Sequence, residues 1–265
     1  MSDFGAATAR PRAAAPVVLL HGVGLDHTMW DGVRRVLEQE HALETVALDL
    51  PGHGAQPPLR EQQTLASLAD DLLARLPDGA VHLVGFSLGA LIAQHIARFH
   101  PQRVVTLSCV SAVCQRTPEE AAAVEARLHS ARDDFPASVA ASLRRWYPVG
   151  GSVPPAAIAD TERVLLANDI DSYLHAYAVF AHGDQEIAPE LHRIAVPTLA
   201  ITGELDPGST PEMTRRLADA VPDARVEIVA GARHMLPVEA ARTLAAALTT
   251  FIDHATTAER AEASR

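Results

Sequence analysis

The sequence predicts an α/β protein: a mostly parallel sheet of about six strands, helices on both faces, and a helical cap inserted before the last two strands. Three observations predict it. Short apolar, β-branched runs alternate with helical patterns along most of the chain. Those runs are apolar at nearly every position rather than at every second one, as strands covered on both faces are. The alternation stops between residues 114 and 190, where one helical pattern follows another.

Strands are expected at 16–20, 45–48, 81–84, 104–109, 198–201 and 225–229. Turn residues and then helical stretches follow most of them, at 29–39, 65–76, 88–99, 211–220 and 237–254. Pro101 stops the third helix after His100, and the polar tail TTAERAEASR beyond His254 is expected to fray. Residues 1–113 and 191–265 then form the core, and 114–190 the cap. Within the cap, helices are expected at 118–132, 136–147, 155–168 and 170–181, with the Gly/Pro break YPVGGSVPP at 147–155. A helical insertion between two strands of a parallel sheet reads as a lid over the strands' carboxyl ends, where open α/β sheets bind ligands.

Composition removes several function classes. The chain has 265 residues, of which 48% are hydrophobic, enough for one large core with an inserted subdomain. Its net charge of −11 argues against nucleic acid and anionic lipid as partners. There is no lysine, so Schiff-base, pyridoxal and P-loop lysine chemistry is excluded. The two cysteines, Cys109 and Cys114, are too few for a disulfide framework, and Cys109 in RVVTLSCV reads as core. The thirteen histidines include no H-E-x-x-H; His182 and Asp184 in AHGDQE come nearest to a metal pair and read as surface. No metal and no cofactor is therefore expected. The N-terminal RPRAAAPVVLLHG imitates a signal peptide, but its apolar run is only a strand's length and no cleavage site follows. No apolar run reaches 18 residues, so a soluble, cytoplasmic protein with a small-molecule partner is expected. The oligomeric state is left open, a homodimer included.

One motif carries the chemistry. Gly85-Phe86-Ser87-Leu88-Gly89 follows a strand and opens a helix, the context a nucleophile elbow requires. A side chain at either glycine would collide across the tight turn, and the helix N-terminus points its N–H groups at the lifted Ser87. A serine nucleophile needs a base, and the base an orienting acid, in the order Ser, acid, His along this fold. LAITGELDPGS ends a strand and supplies Asp206, with Glu204 as the second choice. VEIVAGARHMLPVE ends the last strand and supplies His234. An oxyanion hole would use the backbone N–H of Leu88 and that of Val23 in the glycine-rich LLHGVG after the first strand.

HGVGLDHTMW, LDLPGHG, GFSLGALIAQHIARFHPQRV, ITGELDPGSTPEM and GARHMLPVE together resemble the α/β-hydrolase superfamily over nearly the whole chain. RRWYP at 144–148 and the segment 173–199 are similar to the branch of enol-lactonases and small-ester hydrolases, such as 3-oxoadipate enol-lactonase. The resemblance implies an α/β-hydrolase fold, and the serine at the elbow implies acyl transfer to water through an acyl-enzyme. Carbon–carbon bond hydrolysis of the meta-cleavage type is the second reading, and a non-enzymatic ligand receptor the third. From the cap, Trp146 and Tyr147 are expected to line the pocket. Arg144 and Arg145 could pair with a substrate carboxylate, a preference that the resemblance implies; helical spacing lets only one face inward, and Arg145 is the candidate.

Overall fold

The computed structural model describes residues 15–263. Six parallel strands form one sheet: β1 (Val17–Leu20), β2 (Thr45–Leu48), β3 (Val81–Phe86), β4 (Val104–Val110), β5 (Thr198–Gly203) and β6 (Ala224–Val229). Their order is β2-β1-β3-β4-β5-β6. The central strands β1, β3, β4 and β5 are buried at every residue, whereas the edge strands β2 and β6 are partly exposed. That difference accounts for the sequence pattern: a strand covered on both faces has no polar side to alternate with.

Strand order carries a functional consequence. From β1 the chain steps outward to β2, then returns across β1 to β3 and continues the other way. The loops after β1 and β3 therefore diverge, leaving a crevice at the carboxyl ends of two adjacent strands. β1 pairs with β3 so that Leu20 faces Gly85, which brings residues 21–25 beside residues 86–89.

Helices flank the sheet. α1 (Asp31–His41) packs on the C-terminal helix, and α2 (Leu65–Arg75) on α3 (Leu88–Phe99). Four helices lie between β4 and β5: α4 (Pro118–Asp133), α5 (Phe135–Trp146), α6 (Pro155–Leu166) and α7 (Ile170–Ile187). Their starts are written locally. Thr117 and Glu120 form a capping box, and the Asp134 and Asp169 carboxylates cap the N–H groups of Ala137 and Ser172. The core then resumes with α8 (Pro211–Ala220), the short α9 (Leu236–Glu239) and α10 (Ala241–Ala263).

Three expectations need correction. The final helix breaks at Ala240 into α9 and α10, because Pro237 starts a short turn of its own. α10 then continues to Ala263 instead of fraying after His254, since the alanine-rich tail favours helix. α7 runs on to Ile187, so Asp184, expected at the surface, lies inside a helix and is buried. Its carboxylate meets the equally buried Arg116, whose guanidinium also donates to the carbonyls of Ala181 and Phe180 and lies over the Phe180 ring. This pair fastens the segment after β4 to α7, the helix that packs on α2 and α3.

Arg116→Ala would leave the Asp184 charge buried without its cation. The expected cost is roughly 3–5 kcal/mol of unfolding free energy, read as a lowered midpoint in urea denaturation.

Candidate active site

Ser87 sits at φ 53°, ψ −112°, a backbone conformation that non-glycine residues rarely adopt and that costs on the order of 1–3 kcal/mol. Its neighbours hold it there. The Ser87 N–H donates to the Val110 carbonyl at 3.0 Å, and the Ser87 carbonyl accepts from Ala90 N–H at 3.0 Å. The flanking glycines are required by space: a Cβ on Gly85 would lie 2.2 Å from the Gly89 carbonyl oxygen, and one on Gly89 would lie 2.5 Å from that of His21. Ser87 is thereby fixed between β3 and the first turn of α3.

Asp206 and His234 reach the same place from β5 and β6. His234 Nδ1 lies 2.8 Å from Asp206 Oδ2, with both side chains buried. The other Asp206 oxygen accepts from the N–H groups of Gly208 at 2.8 Å and Ser209 at 2.9 Å, and Thr202 Oγ1 donates to Oδ2. Burial opposes the carboxylate's charge, but His234 and these N–H donors outweigh it and hold the carboxyl below its ordinary range. An ionised Asp206 makes Nδ1 the protonated nitrogen, which leaves Nε2 with its lone pair. Ser111 Oγ donates to the His234 carbonyl, and Phe86 packs against the ring at 5.0 Å between centroids. Glu204, the second-choice acid, accepts from Gly231 N–H and braces the turn after β6 instead.

The loop after β1 completes the site. Among the described residues, no acceptor pairs with the N–H of Val23 or of Leu88. His21, which the sequence reading passed over, shapes this loop. Its Nδ1 donates to the Gly22 carbonyl at 2.7 Å and its Nε2 accepts from Leu50 N–H at 2.9 Å, so the buried ring is neutral. The His53 ring stands edge-on to it at 5.2 Å. Burial, reinforced by His53, lowers His21 to about 3; burial also lowers His53 to about 4.

Ser87, Val23 and His234 line one small, partly open cavity of about 40 Å³ with residues of the cap. That volume holds no more than a few waters. Trp146 stacks over His234, 5.6 Å between centroids and 25° between planes. Arg145 lines the cavity while Arg144 is exposed, as helical spacing required. Tyr147 does not join them. It turns into the cap, its hydroxyl 3.1 Å from Thr161 Oγ1 and pushed up to about 12 by burial. Arg127, Tyr173, Tyr177, Phe180 and Ser209 also line the cavity and were not foreseen. An open groove of about 450 Å³ beside α6 is larger, but it contains neither Ser87 nor His234.

The family model for the "Alpha/beta hydrolase family" matches residues 17–247. The chain belongs to the α/β hydrolase family. Among its relatives, this hydrolase is 28% identical over 242 residues to an (E)-2-((N-methylformamido)methylene)succinate hydrolase of Acinetobacter baylyi, covering 90% of each chain. It is 31% identical over 249 residues to a pimeloyl-(acyl-carrier protein) methyl ester esterase of Edwardsiella ictaluri, covering 89% of this chain and 93% of that one. Among solved structures, it superposes on the enol-lactonase of Burkholderia xenovorans LB400 with a TM-score of 0.79 at 25% identity, over 90% of this chain and 92% of the other.

Stability should depend on pH through His21 and His53. Both folded-state values lie below the ordinary 6.5, so the unfolded chain binds more protons between about pH 4 and 6.5. Their contribution is complete above pH 6.5 and falls as pH drops through that window, by about 1.4 kcal/mol per pH unit for each ring. Urea denaturation at pH 7, 6 and 5 measures the slope, and His53→Phe should reduce it.

Proposed function

We propose that this α/β hydrolase is a serine hydrolase that cleaves a small carboxylic ester or lactone through an acyl-enzyme. The observation that carries the reading is the convergence on one small cavity of a strained Ser87 and a His234 oriented by Asp206 at 2.8 Å. The esterase and enol-lactonase relatives support the bond type.

In this reading Ser87 Oγ attacks the carbonyl carbon while His234 Nε2 takes its proton. Asp206 keeps Nδ1 protonated and stabilises the imidazolium. The N–H groups of Val23 and Leu88 receive the oxyanion, two donors supplied without reorganisation. Collapse breaks the bond to the leaving oxygen, which takes the proton from His234. Water then attacks the acyl-enzyme with His234 again as base, and the carboxylic acid leaves Ser87 free. A lactone gives one ring-opened product in place of an acid and an alcohol. The helices α4–α7 act as the lid, and Trp146 screens His234 from solvent until substrate enters.

Turnover of p-nitrophenyl acetate by the wild type is expected, with Ser87→Ala slower by at least about 10⁴-fold and equally well folded by circular dichroism. Wild-type-like hydrolysis by that variant would refute the nucleophile. Asp206→Asn is expected to lose about 10⁴-fold in kcat through the wrong imidazole tautomer. Trp146→Ala opens the cavity, and the ratio of kcat/KM for p-nitrophenyl octanoate to that for the acetate should rise by about ten-fold, some 1.4 kcal/mol.

A further inference from the structure

The two edges of the sheet differ. β2 shows no exposed residue, whereas β6 presents Arg225 and Val226 to solvent. The backbone of β6 faces two ways. Thr198 of β5 pairs with Ala224, and the N–H groups of Thr198 and Glu204 donate to the carbonyls of Asp223 and Val229. In a parallel ladder the bonded residues alternate along a strand, so Arg225 and Glu227 turn their main-chain groups to β5. Ala224, Val226 and Ile228 turn theirs outward, and among the described residues no partner meets them. Such an edge is a template for another strand.

The side chains select that strand. Arg225 and Glu227 stand on one face of β6. Arg225 donates to His254 Nδ1 on α10 at 3.1 Å, a ring nitrogen that brings no negative charge. Glu227 has no cation beside it among the described residues, and burial alone moves its carboxyl above the ordinary range. It borders an open groove against α10 with the small side chains of Ala246, Ala247 and Thr250, so an arginine from outside can reach it.

We propose that β6 pairs antiparallel with the β6 of a second copy of this chain, about a two-fold axis at Val226, to form a homodimer with one continuous sheet. In that register Val226 faces Val226 of the partner subunit, and Ala224 faces the partner's Ile228. These are the residues with outward main-chain groups, and each facing pair exchanges two hydrogen bonds. Arg225 then stands opposite the partner's Glu227, and Glu227 opposite the partner's Arg225, in the closer pairs where side chains touch. Sliding the strands by two residues keeps the hydrogen bonds but sets Arg225 against the partner's Arg225, or Glu227 against the partner's Glu227. The interface is thus self-complementary in one register, as a two-fold contact requires.

Sedimentation velocity over a range of protein concentrations tests this, with folding followed by circular dichroism. Wild type is expected to dimerise reversibly. Val226→Pro removes an outward N–H and leaves the bonds to β5 in place. Glu227→Arg and Arg225→Glu each set like charges opposite one another at both symmetric positions. Each of the three should raise the dimer Kd by at least about ten-fold. The deciding arm mixes the two charge variants. Neither pairs with itself, but Glu227→Arg facing Arg225→Glu restores attraction at both positions, so the mixture should form a heterodimer with a Kd near that of wild type. The charge variants carry the test if Val226→Pro fails to fold. A wild type that stays monomeric overturns the proposal, whether the edge then meets solvent or a foreign strand. So does a dimer that the variants leave intact, or a mixture of the two folded charge variants that stays monomeric.

Discussion

Gly89 lies so close to the carbonyls of Leu20 and His21 that any side chain there would push the two apart. Its N–H also donates to the His21 carbonyl at 3.1 Å. This single contact joins the start of α3 to the end of β1. Ser87 is strained because α3 must begin at that height. The loop carrying Val23 lies beside Ser87 because the loop and the helix are joined here. The site can be described as a set of side chains, but its geometry is a property of backbone meeting backbone. Only hydrogen at the Cα of residue 89 permits the approach.

The buried polar groups around this joint are balanced by neutrality on one side and by charge on the other. Behind the loop, His21 is kept neutral, since a proton on Nε2 would lose the Leu50 N–H and face the His53 ring. Across the cavity, Asp206 keeps its charge because three donors besides His234 point at its oxygens. Similar burial thus gives opposite outcomes, decided by whether the neighbours present N–H groups or lone pairs.

What the sequence made legible follows the same division. Strand positions, the elbow, Asp206, His234 and the loop carrying Val23 could be read because each depends on short-range rules: an apolar run ending in a turn, a glycine where backbones touch, an acid or a histidine at a strand end. The cap was read as helices but not as a surface. Nothing local distinguishes Arg127 from Arg132 in EARLHSARD, and only the packing of α4 on α5 and α7 sets which one meets the cavity. Tyr147 was misplaced for the same reason. It follows Trp146 directly, yet α5 ends between them, so the two rings part. Asp184 escaped because its partner Arg116 lies 68 residues earlier.

The stacking of Trp146 on His234 gives the molecule an optical property. The chain has two tryptophans, and the other, Trp30, is fully buried in the core. Indole emission responds to polarity and to charge beside the ring. Trp30 therefore supplies a steady background, while Trp146 emits from directly above the imidazole. Any event that lifts the cap, or puts a charge on that imidazole, is written into the light the protein gives off without a label being attached.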